Sequence, residues 1–184
     1  MAPKIKITKD DIINTSIELI REGGEQSLNA RAIASALNCS TQPIFSNFTS
    51  MEEVEKETLS AAYNIYLGFL KNEAESGEYP IYKAYGMAYI RFAKEERELF
   101  KFLFMRDRTL EDTTPTLDFR ESVQIIMNAN GITREKAELM HLEMWICVHG
   151  IATMIATSFL PLQWELISEI TSDVYHGIKT RHTS

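Results

Sequence analysis

Residues 29–50, NARAIASALNCSTQPIFSNFTS, read as two short helices joined by a tight bend. Asn29 is placed to cap the first, because its side-chain oxygen accepts from an otherwise unpaired backbone N–H. Ile33, Ala34 and Leu37 then form an apolar stripe at i, i+1 and i+4. Asn38 and Cys39 interrupt it, Ser40 offers a second N-cap, and Ile44 and Phe48 give the next helix its own i, i+4 stripe. Two helices of about two turns each bury little alone, so they need a third behind them. That arrangement is a helix-turn-helix, whose second helix enters the DNA major groove.

Working outward, Thr8 caps a helix of about 9–22 with Ile12, Ile13, Ile17 and Ile20 facing inward, and Gly23-Gly24 stops it. Ser50-Met51-Glu52-Glu53 has the S-x-x-E spacing of a capping box and opens a long helix to about Glu75. Its apolar positions include Val54, Leu59, Ala62, Tyr63, Tyr66 and Leu70. Ser76-Gly77 and Pro80 mark a bend, and helices follow over about 80–93 and 96–104. Residues 106–114 are the most loop-like internal segment, and Pro115 suits the start of a helix running to Asn130 before Gly131. Thr133 caps a helix over about 134–158, Pro161 sits at a bend, and a last helix spans about 162–179. Strand signals are nearly absent. The expected fold class is all-α, about nine helices, with a three-helix head over 1–50 and a helical body over 51–184.

The formal net charge of -7 is unevenly placed. Residues 1–50 carry five basic side chains (Lys4, Lys6, Lys9, Arg21, Arg31) and five acidic ones, of totals of 19 and 26, so the rest of the chain holds the entire excess. A neutral head is a weak electrostatic footprint on DNA, since counterion release supplies much of non-specific affinity. Cys39 and Cys147 lie in different expected domains with no signal peptide before them, which points to a reducing cytoplasm without a disulfide framework. The longest apolar run, Trp145–Leu160, is interrupted by His149, Gly150 and Thr residues, so no membrane span of roughly 20 residues is expected.

Enzymatic motifs are missing: there is no G-x-S-x-G, no phosphate-cradling glycine loop, no H-E-x-x-H and no paired cysteine site. The expectation is a non-enzyme with no cofactor. His141, Trp145 and His149 share a helix face at i, i+4 and i+8. The two imidazoles are then about 12 Å apart along the axis, too far to share a metal ion. His149 is either a hydrogen-bonding group for a ligand or dimer mate, or a satisfied core histidine.

At residues 8–54 the chain resembles the N-terminal domain of TetR-type (tetracycline-repressor-like) transcriptional regulators. The matching residues are Ile12 through Ile20, Leu28-Asn29-Ala30-Arg31-Ala32-Ile33-Ala34, Ser40, Ile44-Phe45-Ser46-Asn47-Phe48 and Ser50-Met51-Glu52-Glu53-Val54. Two body segments resemble one subgroup of that family. They are Tyr85-Gly86-Met87-Ala88-Tyr89-Ile90-Arg91-Phe92-Ala93 with Glu98-Leu99-Phe100, and Met144-Trp145-Ile146-Cys147-Val148-His149-Gly150 with its W…HG signature. The resemblance implies a ligand-responsive repressor: a homodimer with two heads, joined through the helices at about 134–158 and 162–179. It also implies a body that binds a largely apolar small-molecule effector and releases the operator. Two heads about a two-fold axis imply a pseudo-palindromic duplex with half-sites about 34–36 Å apart.

Two residues depart from the family pattern. Phe45 stands where Tyr is common and Met51 where Lys is common, so two backbone contacts are lost. The alternative function is accordingly a helical ligand-binding or interaction protein whose head has weakened or lost DNA binding.

The candidate DNA-binding residues are Arg31, Ser40, Thr41, Gln42, Phe45, Asn47 and Ser50. Arg31 suits guanine O6/N7 and Gln42 suits adenine; the bland alternative for Arg31 is a solvated charge paired with Glu25. Phe45 has a sugar or a thymine methyl as its partner. Asn47 matches a family position that touches phosphate. Ser40 and Ser50 are explained as caps, whose helix N-termini also face phosphates. Lys4, Lys6 and Lys9 form either an arm along the backbone or a frayed tail. Candidate effector-pocket residues, as the resemblance implies, are Tyr66, Phe92, Phe104, Met127, Met144, Trp145 and His149, although most such side chains at helical spacing serve as core.

Overall fold

The computed structural model describes residues 7–107 and 120–183, and among these the chain forms nine α-helices, one 3₁₀ turn and no strand. The all-α expectation holds. Lys4, Lys6 and the helix start expected at Pro115 lie outside the described residues. The helices group into two units, described in turn. One takes the chain up to Leu67 together with Glu96–Arg106; the other takes Gly68–Glu95 and the chain from Asp107 onward.

In the first unit, α1 (Lys9–Gly23) opens on a complete capping box. The Asp11 amide donates to Thr8 Oγ1 at 3.1 Å, and the Thr8 amide donates to the Asp11 carboxylate at 2.8 Å. Gly24 ends the helix at φ 75°, a positive value that favours glycine. After a 3₁₀ turn at Glu25–Ser27, α2 (Ala30–Ala36) is capped by Asn29, whose Oδ1 accepts from the Ala32 amide at 2.9 Å. Asn38, at φ 51°, turns the chain toward α3 (Gln42–Asn47).

One expected cap and the closure of one capping box are corrected here. Thr41, not Ser40, holds the N-cap position of α3, and no side chain caps it. The reason is local: Thr41 is already helical (φ -71°, ψ -12°), which turns its hydroxyl from the cap geometry, and Pro43 lacks one of the amides a cap would satisfy. At α4 (Met51–Ser76) the Glu53 amide donates to Ser50 Oγ at 3.4 Å, as a capping box requires. The Glu53 carboxylate, however, accepts from the amide and hydroxyl of Thr49 (2.6 and 2.8 Å), so the box closes one residue earlier than the spacing suggests.

Ile12, Ile33, Ala34, Ile44, Phe48 and Val54 form one buried cluster, so α1, α2, α3 and the start of α4 share a core. Met51 packs against this cluster with Leu37 and Cys39. Ile13, expected inside, is only half-buried and borders the same cluster. α6 (Arg97–Phe104) packs on α1, and Arg21 of α1 donates twice to the Glu96 carboxylate at its start, at 2.9 and 2.5 Å.

In the second unit, α5 (Ile81–Glu95) and α8 (Arg134–Ala156) pack together, flanked by α7 (Arg120–Asn130) and α9 (Trp164–Thr183). The last turns of α4 are fixed here: buried Glu73 accepts from Arg91 Nε at 2.8 Å, and the Arg91 guanidinium lies 4.3 Å from the Trp164 ring centroid. Val123, Ile126, Ala137 and Met140 form a second core cluster. α8 stops two residues before the expected end, with Ser158 at φ 56°, and α9 begins after Gln163 and continues four residues further than expected. By length and composition α8 is apolar enough to cross a bilayer, contrary to the expectation of no such run. His and Glu side chains along it carry hydrogen bonds, and it packs against α5, α7 and α9, as a core helix does.

Candidate functional site

The outer face of α2 and α3 gathers most of the residues expected to meet DNA. Arg31, in the first turn of α2, is exposed and makes no hydrogen bond or ion pair with a described residue; the pairing with Glu25 is not formed. Gln42 is exposed and Thr41 half-exposed, and neither side chain is hydrogen-bonded to a described residue. Phe45, one turn on from Gln42, leaves 50% of its surface open. Ser40 is exposed.

Other polar groups of α3 are turned inward on its own backbone. The Ser46 hydroxyl donates to the Gln42 carbonyl at 2.8 Å. The Asn47 amide donates to the Pro43 carbonyl at 2.8 Å and to the Ile7 carbonyl at 3.3 Å, so it ties the end of α3 to the chain before α1. Ser50 is half-buried and occupied as a cap, and its hydroxyl holds the Glu52 carboxyl below the usual range.

The cations of the described head divide sharply. Lys9 lies 3.5 Å from the Glu53 carboxylate and 4.7 Å from the Phe48 ring centroid, a tether and not an arm. Arg21 is held between Glu18 and Glu96, which push its basicity up. Arg31 alone of these three is open to solvent without a partner among the described residues. From residue 32 to 51 the sequence has no charged side chain, so the whole of α3 is electrically silent. The α3 face offers an amide, a hydroxyl and an aromatic ring.

The candidate effector residues are drawn from both units. Tyr66 and Phe104 belong to the first unit, where their rings meet edge to face with centroids 5.3 Å apart, and Phe100 joins Phe104 at 5.4 Å. In the second unit, Phe92 is fully buried against Phe69, Met127 borders the Val123–Met140 cluster, and Met144 is buried on α8. Trp145 and His149 stack, with centroids 4.9 Å apart and planes 12° from parallel.

A polar seam between α5 and α8 escaped the reading of the sequence. The Tyr82 hydroxyl and His141 Nδ1 are 2.8 Å apart, as are the Tyr89 hydroxyl and His149 Nδ1. Burial pushes His141 down to about 4 and lowers His149, so both imidazoles are neutral near pH 7. His149 thus has a partner inside the body. The signal was present as Tyr82 and Tyr89, seven residues apart on α5, with His141 and His149 eight apart on α8, two turns in each helix. Cys147, half-buried on the same helix, has its thiol pushed up by burial, which keeps it protonated and unreactive. Among the described residues no three His, Cys, Asp or Glu side chains converge as a metal site.

No family model matches the chain, and no curated protein matches it.

Proposed function

We propose that the chain is a ligand-responsive DNA-binding transcriptional regulator of the TetR type. In this reading it represses by binding a pseudo-palindromic operator as a homodimer, and a largely apolar small molecule releases it. The observation that carries the reading is the α2–α3 face. Its scaffold is fixed by a dedicated core, while Arg31, Gln42 and Phe45 stand outward and unspent. A helix-turn-helix needs a rigid support and free side chains at the start of its second helix.

Dimerisation through α8 and α9 is supported by exposed Leu139, Leu142 and Ile146, at i, i+3 and i+7 on α8, and by Leu166 on α9. Contiguous apolar surface of this kind marks interaction sites. The effector-side reading rests on the aromatic and methionine side chains of the body and on the neutral Tyr–His seam, which suits an uncharged ligand carrying few polar groups. Release requires differential affinity of the effector for two states of the dimer; equal binding to both would change nothing. α4 is the continuous element for such coupling, since Val54 belongs to the head core and Glu73 is held by Arg91.

A second reading, a helical ligand-binding or interaction protein without DNA binding, is favoured by the uncharged α3 and by Met51 being packed into the core. Binding to a labelled duplex spanning the DNA upstream of the chain's own coding region, titrated with salt, separates the two. Saturable binding that competitor DNA does not remove, and that weakens linearly in log salt, supports the regulator. No binding at the lowest salt supports the second reading.

A further inference from the structure

Phe45 has no role inside the fold that explains its placement: it projects from the middle of α3 half-open to water while Ile44 and Phe48 beside it are fully or nearly fully buried. Resting on the DNA-binding reading, we infer that Phe45 is a specificity-determining residue that reads the 5-methyl group of a thymine in the major groove. The chemistry follows by elimination. Between residues 32 and 51 there is no charge to seek phosphate, the Ser46 hydroxyl and Asn47 amide are spent on backbone carbonyls, and the Phe45 ring neither donates nor accepts. The one apolar group on the major-groove edges of the four bases is the thymine methyl.

Gln42 fixes the register of this contact. It precedes Phe45 by three residues and is exposed on the same helix, which places the two side chains about 5–6 Å apart at their Cβ atoms. That separation matches one to two base steps of about 3.4 Å. Gln42 on an adenine and Phe45 on a nearby thymine together define an A·T-containing core in each half-site. A tyrosine at position 45 would add a hydroxyl that seeks phosphate or solvent; phenylalanine removes that option and commits the ring to an apolar partner.

The test replaces one methyl group at a time. The full-length protein selects duplexes from a random-sequence library, and each thymine of the enriched duplex is then exchanged singly for deoxyuridine, which keeps every hydrogen-bonding group. At one thymine per half-site the exchange weakens wild-type binding about threefold to tenfold, as burial of one methyl implies. Phe45→Ala binds more weakly and no longer distinguishes thymine from uracil there, Phe45→Leu keeps the distinction, and Gln42→Ala binds more weakly but keeps it too. Wild-type protein indifferent to uracil at every position, or Phe45→Ala that still discriminates, overturns the inference and leaves DNA binding intact. A library from which no duplex is enriched removes both the inference and the reading beneath it.

Discussion

Arg31 and Gln42 are polar side chains that the head holds open at the start of its two short helices, so under the proposed function the energetic cost of losing each falls on binding, not folding. Arg31→Ala and Gln42→Ala are each expected to lose about 1–3 kcal/mol of operator affinity, with helicity and unfolding midpoint unchanged. Titration of the selected duplex by fluorescence anisotropy checks this, and full affinity in both variants would move base reading to other residues. His141 makes a different prediction. Its folded-state value is depressed to about 4 by burial against an ordinary 6.5, so between these values the unfolded chain holds a proton that the fold excludes. Stability is therefore fully present above about pH 6.5 and falls as pH drops toward 4, by up to about 3 kcal/mol. Urea unfolding at pH 7 and pH 5 measures the loss, and His141→Gln should flatten it.

At the scale of elements, the helices were legible because their ends are written in short-range chemistry. Thr8 with Asp11, Asn29, Thr133, and glycines at 24 and 131 mark boundaries through contacts within four residues. The start of α3 is not legible in the same way, because Ser40 and Thr41 are chemically equal cap candidates, and the helical dihedrals of Thr41 with the missing amide of Pro43 decide between them. The Tyr–His seam was not legible as a seam, since 59 and 60 residues separate its partners and periodicity sees one helix at a time. Pocket and core are not told apart for the same reason: pattern names apolar side chains without saying which core they enter. α8 also carries an element-scale prediction. Leu142→Glu with Ile146→Glu places two charges on its open apolar face. Under the proposed dimer, sedimentation should show the unaltered chain at twice the mass of this variant, with helicity retained; a variant that stays dimeric would place the interface elsewhere.

The whole molecule separates its electrostatics along the chain. The first fifty residues are balanced and the remainder holds the full -7, so long-range attraction to a duplex is small, and the proposed recognition depends on close contacts at the head. The backbone passes between the two units at three places: within α4 after Leu67, from Glu95 into α6, where Glu96 grips Arg21, and at Arg106–Asp107. The proposed effector response has these backbone routes open to it. The account as a whole depends on the α2–α3 face being where DNA binds. Amide-resolved NMR of the isotope-labelled protein, recorded as the selected duplex is added, tests this most directly. The expected perturbations cluster at Arg31, at Thr41–Asn47 and in the turn between them; perturbations confined to residues beyond Ser50, or none at saturating duplex, would contradict it.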